Sequence, residues 1–195
     1  MKKSIYSKIY QRLFSIINMY SLNIEHYPMP KDLMYSLKEM NTDILLKLKY
    51  QYGDEIDQEK YEILLNRLLH SQNEIGYVIT NNEQEICGYF HLVKDEMKSG
   101  GLGKKLKLSN DIVVLFDDYT FLKHRGKGVH KYSILARINK AREMGFMKAN
   151  VLIHEGNTPS ERAYLSFDFQ KTIRYKVLKI KKYKFVFTKR LENEY

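Results

Sequence analysis

The sequence predicts an α/β (α+β) fold, a mixed sheet with helices on both faces, on three observations. Segments of strand-type and helix-type periodicity interleave in the order α-β-α-α-β-β-β-α-β-α-β-β. A hydrophobic content of 44 % in 195 residues is enough for a packed core in one domain. An aromatic content of 13 %, with no repeat or low-complexity tract, argues against disorder.

The elements follow in chain order. Residues 4–20 read as an amphipathic helix with Ile5, Ile9, Leu13, Ile16 and Ile17 on one side. LNIEHY (22–27) reads as a short strand broken by Pro28 and Pro30. Residues 31–49 and 57–71 read as two helices, the second capped by Asp57. GYVIT (76–80) and EICGYFHLV (85–93) form a hairpin about Asn81-Asn82-Glu83. KSGGLGKK (98–105) reads as a flexible loop. LSNDIVVLFDDYTFL (108–122) is a long strand with a bulge or bend near Asp117-Asp118. A helix from about 127 to 144 stops at Gly145. ANVLIH (149–154) is a buried-type strand. Thr158 then caps a helix, with Pro159 at its first helical position and Glu161 completing a capping box. TIRYKVLKI and KYKFVFTKR close the chain as two alternating strands.

Composition narrows the function classes. The formal net charge of +10 points to an anionic partner: nucleic acid, an anionic surface or a phosphorylated cofactor. A solvated lysine-rich surface accounts for the same charge. The single Cys87 excludes a disulfide framework and a multi-cysteine metal site, and fits a reduced, cytoplasmic compartment. No His/Asp/Glu group has metal-ligand spacing, so no metal is expected. No clean signal-peptide core and no stretch of membrane-spanning length occurs.

His124-Arg125-Gly126-Lys127-Gly128-Val129-His130 is the most informative stretch. It leaves a strand and opens a helix. It lacks the order of a Walker phosphate loop, and Lys131 stands where a Rossmann fingerprint needs its third glycine. A strand-to-helix turn needing positive φ explains the glycines at the simplest level. A phosphate cradle explains more. The first helical turn has free N–H groups and partial positive charge, and glycine lets that backbone approach an anion. Arg125, Lys127 and Lys131 add charge.

In this loop the chain resembles the GNAT superfamily of N-acetyltransferases, whose cofactor loop reads Arg/Gln-x-x-Gly-x-Gly/Ala. Arg125 and Gly128 match, and His130 stands in the last, small-residue position. Tyr119, Thr120 and Phe121 fall where the family's fourth strand offers backbone to the cofactor, and Leu122 replaces a frequent proline. A second family pattern, Asn-x-x-Ala-x-x-x-Tyr-x-x-x-Gly-Phe, is met by Asn157, Ser160, Tyr164, Asp168 and Phe169, with Ser160 for Ala and Asp168 for Gly. The resemblance covers about residues 75–190.

The resemblance implies a GNAT-like, mostly antiparallel sheet with an N-terminal helical extension. It implies one domain: residues 1–72 as a helical part on the acceptor side, and 73–190 as the acetyl-CoA-binding core. Acetyl-CoA would lie between splayed fourth and fifth strands, its pyrophosphate on the N–H groups of Gly126, Lys127, Gly128, Val129, His130 and Lys131. A backbone N–H near Thr120 or Phe121 would meet the developing oxyanion, and Tyr164 would protonate the departing thiolate. Asn157 is either a turn residue or a ligand for the cofactor arm. The general base is expected among Asp117, Asp118, His154 and Glu155 at strand ends, with Asp118 put forward. His91 reads as structural.

The expected activity is transfer of an acetyl group from acetyl-CoA to a small-molecule or peptide amine. Two other classes compete. One is a degenerate acyl-CoA-binding protein, suggested by His130 and Asp168. The other is a nucleic-acid or ribosome-associated module: Arg174, Lys176, Lys179, Lys181, Lys182 and Lys184 interleave with Tyr175, Tyr183 and Phe185. An ordinary hairpin with outward lysines is the preferred reading of that stretch. A homodimer is left open.

Overall fold

Alternating apolar residues dominate the chain, and in a computed structural model describing residues 13–27 and 34–191 they line one eight-stranded sheet. The strands are β1 (Phe14–Asn23), β2 (Tyr35–Glu39), β3 (Glu74–Asn81), β4 (Ile86–Val93), β5 (Glu96–Ser99), β6 (Lys104–Lys107), β7 (Ile112–Thr120), β8 (Lys148–His154), β9 (Gln170–Ile180) and β10 (Tyr183–Arg190). The helices are α1 (Thr42–Gln51), α2 (Gln58–His70), α3 (Val129–Glu143) and α4 (Thr158–Leu165). The sheet order is β10-β9-β1-β8-β7-β4-β3-β2, and β5-β6 forms a separate hairpin. Every pair in the large sheet is antiparallel except β7–β8.

The two helical layers have separate cores. On one face, Leu45 and Leu48 of α1 and Leu64 of α2 pack on Val78, Ile86, Tyr89 and Phe121. On the other, Ile134, Ile138 and Ala141 of α3 and Ala163 and Tyr164 of α4 pack on Val113, Leu115, Val151 and Ile153. The predicted helices on both faces and the mixed, mostly antiparallel sheet are both present.

Several local expectations are corrected. The predicted helix over 4–20 is strand β1 from Phe14 onward, and residues 4–12 lie outside the described residues. Ile17, Asn18, Met19 and Tyr20 are buried in succession. A helix cannot bury four adjacent side chains on one stripe, whereas a central strand buries both faces. Here β1 lies between β8 and β9. The strand expected at 22–27 is only the end of β1: the chain leaves the sheet at Ile24, whose N–H bonds the Met147 carbonyl. The helix expected at 31–49 is replaced by β2 and α1, with Asn41 capping α1 through the Ile44 N–H at 2.9 Å, and residues 31–33 lie outside the described residues. Among the described residues the N-terminal part therefore supplies two strands as well as two helices. KSGGLGKK closes the β5–β6 hairpin and buries Leu102 against Ile17, Met19 and Val177.

Other expectations match. Asp57 caps α2 by accepting from the Lys60 N–H at 2.7 Å. Gly145 ends α3 with φ 88°. The cap of α4 is Asn157 rather than Thr158; its side chain accepts from the Ser160 N–H, and Pro159 occupies the first turn.

Candidate functional site

The parallel pair opens. Ile112, Val113, Val114 and Leu115 pair with Lys148, Ala149, Asn150 and Val151, and there the pairing stops. β7 continues to Thr120 and β8 to His154 without each other. Where they part, the register of β7 on β4 shifts by one residue, and Asp117 takes φ 50°. This is the expected bulge. Gly88 of β4 lets β7 come close: a Cβ there would stand 2.3 Å from the Tyr119 carbonyl oxygen.

The bulge sends adjacent carboxylates to opposite faces. Asp117 meets Lys60 at 2.7 Å and also Arg67, both from α2. Burial pushes the Asp117 pKa up, but Lys60, His91 and Arg67 together outweigh it and the net shift is downward. Asp118 turns to α3 and α4. Arg137 grips it in two hydrogen bonds of 2.7 and 2.9 Å. Tyr164 donates to it at 2.6 Å, and His130 Nε2 lies 3.1 Å away. The Arg137 side chain is 0 % exposed and also donates to the carbonyls of His91 and Ser133. Burial alone would raise the Asp118 pKa, yet Arg137 and the His130 hydrogen bond hold it well below the usual carboxylate range.

This network is at odds with Asp118 as the general base. A carboxylate so strongly held in its ionised form is a weak proton acceptor. Tyr164 departs from expectation too. It is fully buried, and its hydroxyl already donates to Asp118. Burial and the Asp118 charge push its pKa well above the usual tyrosine value, which disfavours proton release.

A cleft of about 720 Å³ occupies the mouth of the split. That is a common size for a small-molecule site. Asp118, Tyr119, Thr120, Arg125, Gly126, Gly128, Val129, His130, Lys131 and Asn157 all line it. Phe121, Lys127 and Tyr164 are not among the lining residues. Phe121 is buried with its ring stacked 3.6 Å from Tyr52, and its N–H bonds the Cys87 carbonyl at 3.0 Å. That bond removes it as an oxyanion donor. Successive amides of an extended chain point to opposite edges, so the Thr120 N–H faces the split.

Gly126 and Gly128 take φ 73° and 82°, and Gly128 immediately precedes α3. A Cβ at either would meet nothing within 4 Å, so backbone conformation rather than crowding requires glycine. The loop is braced from β2, where Tyr35 donates to the Lys127 carbonyl at 2.7 Å. On its other side, Arg125 Nε bonds the Thr120 carbonyl at 3.0 Å. Glu55 accepts from the Tyr119 hydroxyl and the Leu122 N–H, both at 3.0 Å.

Sequence reasoning missed Arg137, Tyr35 and Glu55. Arg137 carried a signal: it follows His130 by seven residues, the spacing that puts two side chains on one helix face. Tyr35 and Glu55 carried none, because their contacts exist only in the assembled fold. The other base candidates lie elsewhere. Glu155 pairs with Arg174 at 2.8 Å, and His154 neighbours Gly101. His91 is buried, and desolvation lowers its pKa to about 3. Among the described residues no group of three or more His, Cys, Asp or Glu is placed to hold a metal. No described helix is long and apolar enough to cross a membrane.

Comparison with solved structures shows what this architecture is. A protein of unknown function from Staphylococcus epidermidis superimposes with TM-score 0.57 at 8 % identity, over 90 % of this chain and 66 % of that one. A protein assigned to the GNAT acetyltransferase family, from Novosphingobium aromaticivorans, gives 0.58 at 10 % identity, over 84 % of this chain and 62 % of that one. The aminoglycoside N-acetyltransferase AAC(6')-Iy, in complex with CoA, gives 0.53 at 16 % identity, over 74 % of this chain and 93 % of that one. No family model and no curated protein matches the sequence. The chain has the fold of the GNAT N-acetyltransferases.

Proposed function

We propose that the protein is a CoA-dependent N-acyltransferase that moves an acetyl group from acetyl-CoA to the amine of a small molecule or peptide. The observation that carries this is the split of β7 from β8, with a helix N-terminus opened by left-handed glycines at its mouth. The fit is one of shape and charge. Unpaired strand edges suit the amides of a pantetheine arm, as an added strand would. The first amides of α3, with Arg125 and Lys131 beside them, suit a pyrophosphate. The CoA complex of AAC(6')-Iy, which shares the fold, supports the same ligand class.

The geometry supports the following roles for individual residues. Gly126 and Gly128 hold the loop so that the amides of Val129, His130 and Lys131 turn outward. The Thr120 N–H meets the oxyanion that develops as the amine attacks the thioester carbonyl. His130 handles the proton. It lines the cleft, whereas Tyr164 does not, and its Nε2 rests on Asp118. As the new C–N bond forms, the amine's proton passes to His130. As the C–S bond breaks, His130 returns it to the thiolate, so the enzyme ends unchanged. Asp118 is a positioning residue, locked by Arg137 and Tyr164, that fixes the imidazole.

Two measurements test the reading. Acetyl-CoA should raise the melting temperature, by an amount that grows with concentration. Free thiol should appear when acetyl-CoA is supplied with a panel of primary amines. His130→Gln should keep the thermal protection and slow thiol release by about 10²-fold, the usual contribution of a positioned acid–base group. Protection without thiol release from any amine would make the protein an acyl-CoA binder. Absence of protection would overturn the reading altogether.

A further inference from the structure

The last two strands carry chemistry that the cleft does not use. Residues 170–190 contain nine Lys and Arg and no Asp or Glu. The whole chain has a formal net charge of +10, so this hairpin holds nearly all of the excess. Glu155 and Glu161 answer two of the charges, through Arg174 and Lys171. Lys176, Lys181, Lys182 and Lys189 are exposed around the ring-bearing face, whereas Lys184 and Arg190 alternate with the rings and turn to the other face, where Lys184 donates to the Gly100 carbonyl.

Three rings stand among them. Tyr183, Phe185 and Phe187 alternate along β10, so they share one face, and they are 59, 51 and 60 % exposed. Their partners in register on β9 are Ile180, Leu178 and Lys176. The Lys182 ammonium lies 5.5 Å from the Tyr183 ring centre, and Lys176 lies 4.7 Å from that of Phe14 on the adjoining β1. β10 is the terminal strand of the sheet, so the row lies at its rim. Alternate residues of a strand are about 6.8 Å apart, and side chains stand roughly perpendicular to the sheet.

We propose that this face binds single-stranded nucleic acid, with bases stacking on Tyr183, Phe185 and Phe187 and the surrounding lysines holding phosphates. Aromatic rings on a sheet surface, ringed by cations, are the shared chemistry of proteins that bind unpaired strands. Charge selects this occupant over two others. A second copy would bring an equally cationic hairpin against the first. Residues 1–12 of the chain contain Lys2, Lys3, Lys8 and Arg12 and no acid, so they repel the face as well. An anionic bilayer satisfies the charge as well, but Lys176 and Lys189 interrupt this face at the level of Phe187, where an inserted apolar surface would have to bury them.

The test uses the full chain and fluorescein-labelled ten-nucleotide RNA and DNA, single- and double-stranded, read by anisotropy. Single strands should bind more tightly than duplexes. If about four phosphates are neutralised, log K falls with log salt at a slope near −3, or about fiftyfold for a fourfold rise in salt. Phe185→Ala and Phe187→Ala should each weaken binding about tenfold, the order expected for one lost stacked base. Phe185→Tyr with Phe187→Tyr should keep it. Lys176→Gln with Lys182→Gln should flatten the salt slope by about 1.4. Melting temperatures and acetyl-CoA protection should be unchanged in all these variants, which separates this surface from the cleft. Binding indifferent to salt or to the two rings overturns the proposal. So does equal affinity for duplexes, tighter binding to phosphatidylserine vesicles, or a dimer in sedimentation that the alanine variants dissociate.

Discussion

Asp118→Asn tests the buried network most directly. The substitution keeps shape and one acceptor oxygen but removes the charge that answers Arg137. The guanidinium, 0 % exposed, is then left without a counter-ion. Breaking a buried pair on one side costs about 3–5 kcal/mol. For a chain of this length, 1 kcal/mol moves the melting temperature by about 2–4 °C. The variant should therefore melt roughly 10 °C below the parent at neutral pH. The pH dependence carries a second signature. The Asp118 pKa is lowered in the folded state, so its contribution is present above the unfolded value near 3.9 and is lost as pH falls toward the folded value. The parent should lose stability steeply below about pH 4, and Asp118→Asn should lose less over that window. Circular dichroism melts across a pH series measure both. A variant melting within two or three degrees of the parent at pH 7, with an unchanged acid limb, would refute the reasoning.

Further outcomes follow from the same geometry. Gly128→Ala places a Cβ at φ 82°, which should cost about 1–2 kcal/mol and weaken acetyl-CoA protection, read by thermal shift. Gly128→Glu should abolish that protection, because a carboxylate then faces the anion. Tyr164→Phe removes a hydrogen bond to a charged group, worth about 1.5–3 kcal/mol; the melting temperature should fall while acetyl-CoA still protects. Gly88→Ala puts a carbon 2.3 Å from a backbone oxygen of β7, so it should destabilise the fold and disturb the bulge, visible as lost amide protection in hydrogen exchange on both strands.

The legibility of the chain differs by region for physical reasons. From Glu74 onward most strands were readable because each is local, a run of alternating or apolar residues bounded by turn residues; β5 and β6, four residues each around a glycine-rich turn, were too short and too polar to show. The bulge was readable because two consecutive aspartates interrupt an otherwise apolar strand. β1 was not readable. Its burial on both faces depends on β8 and β9, which lie more than a hundred residues away. β2 was hidden for a similar reason, since among the described residues its only strand partner is β3. At the cleft, the glycines and the loop charge announced themselves by type and order. The task of Asp118 did not, because it is set by Arg137, His130 and Tyr164, brought together by two different helices. The family resemblance singled out Tyr164, and only the fold shows its hydroxyl turned inward to Asp118.

The parting of β7 and β8 has a consequence for how this chain can change over generations. What it offers to the gap is main chain, and an amide or carbonyl is the same group whichever amino acid carries it. Selection acting on such a gap preserves a shape and a few residues that permit it, and leaves the remaining letters free to drift. The backbone of this chain overlaps those of other proteins at 8–16 % identity.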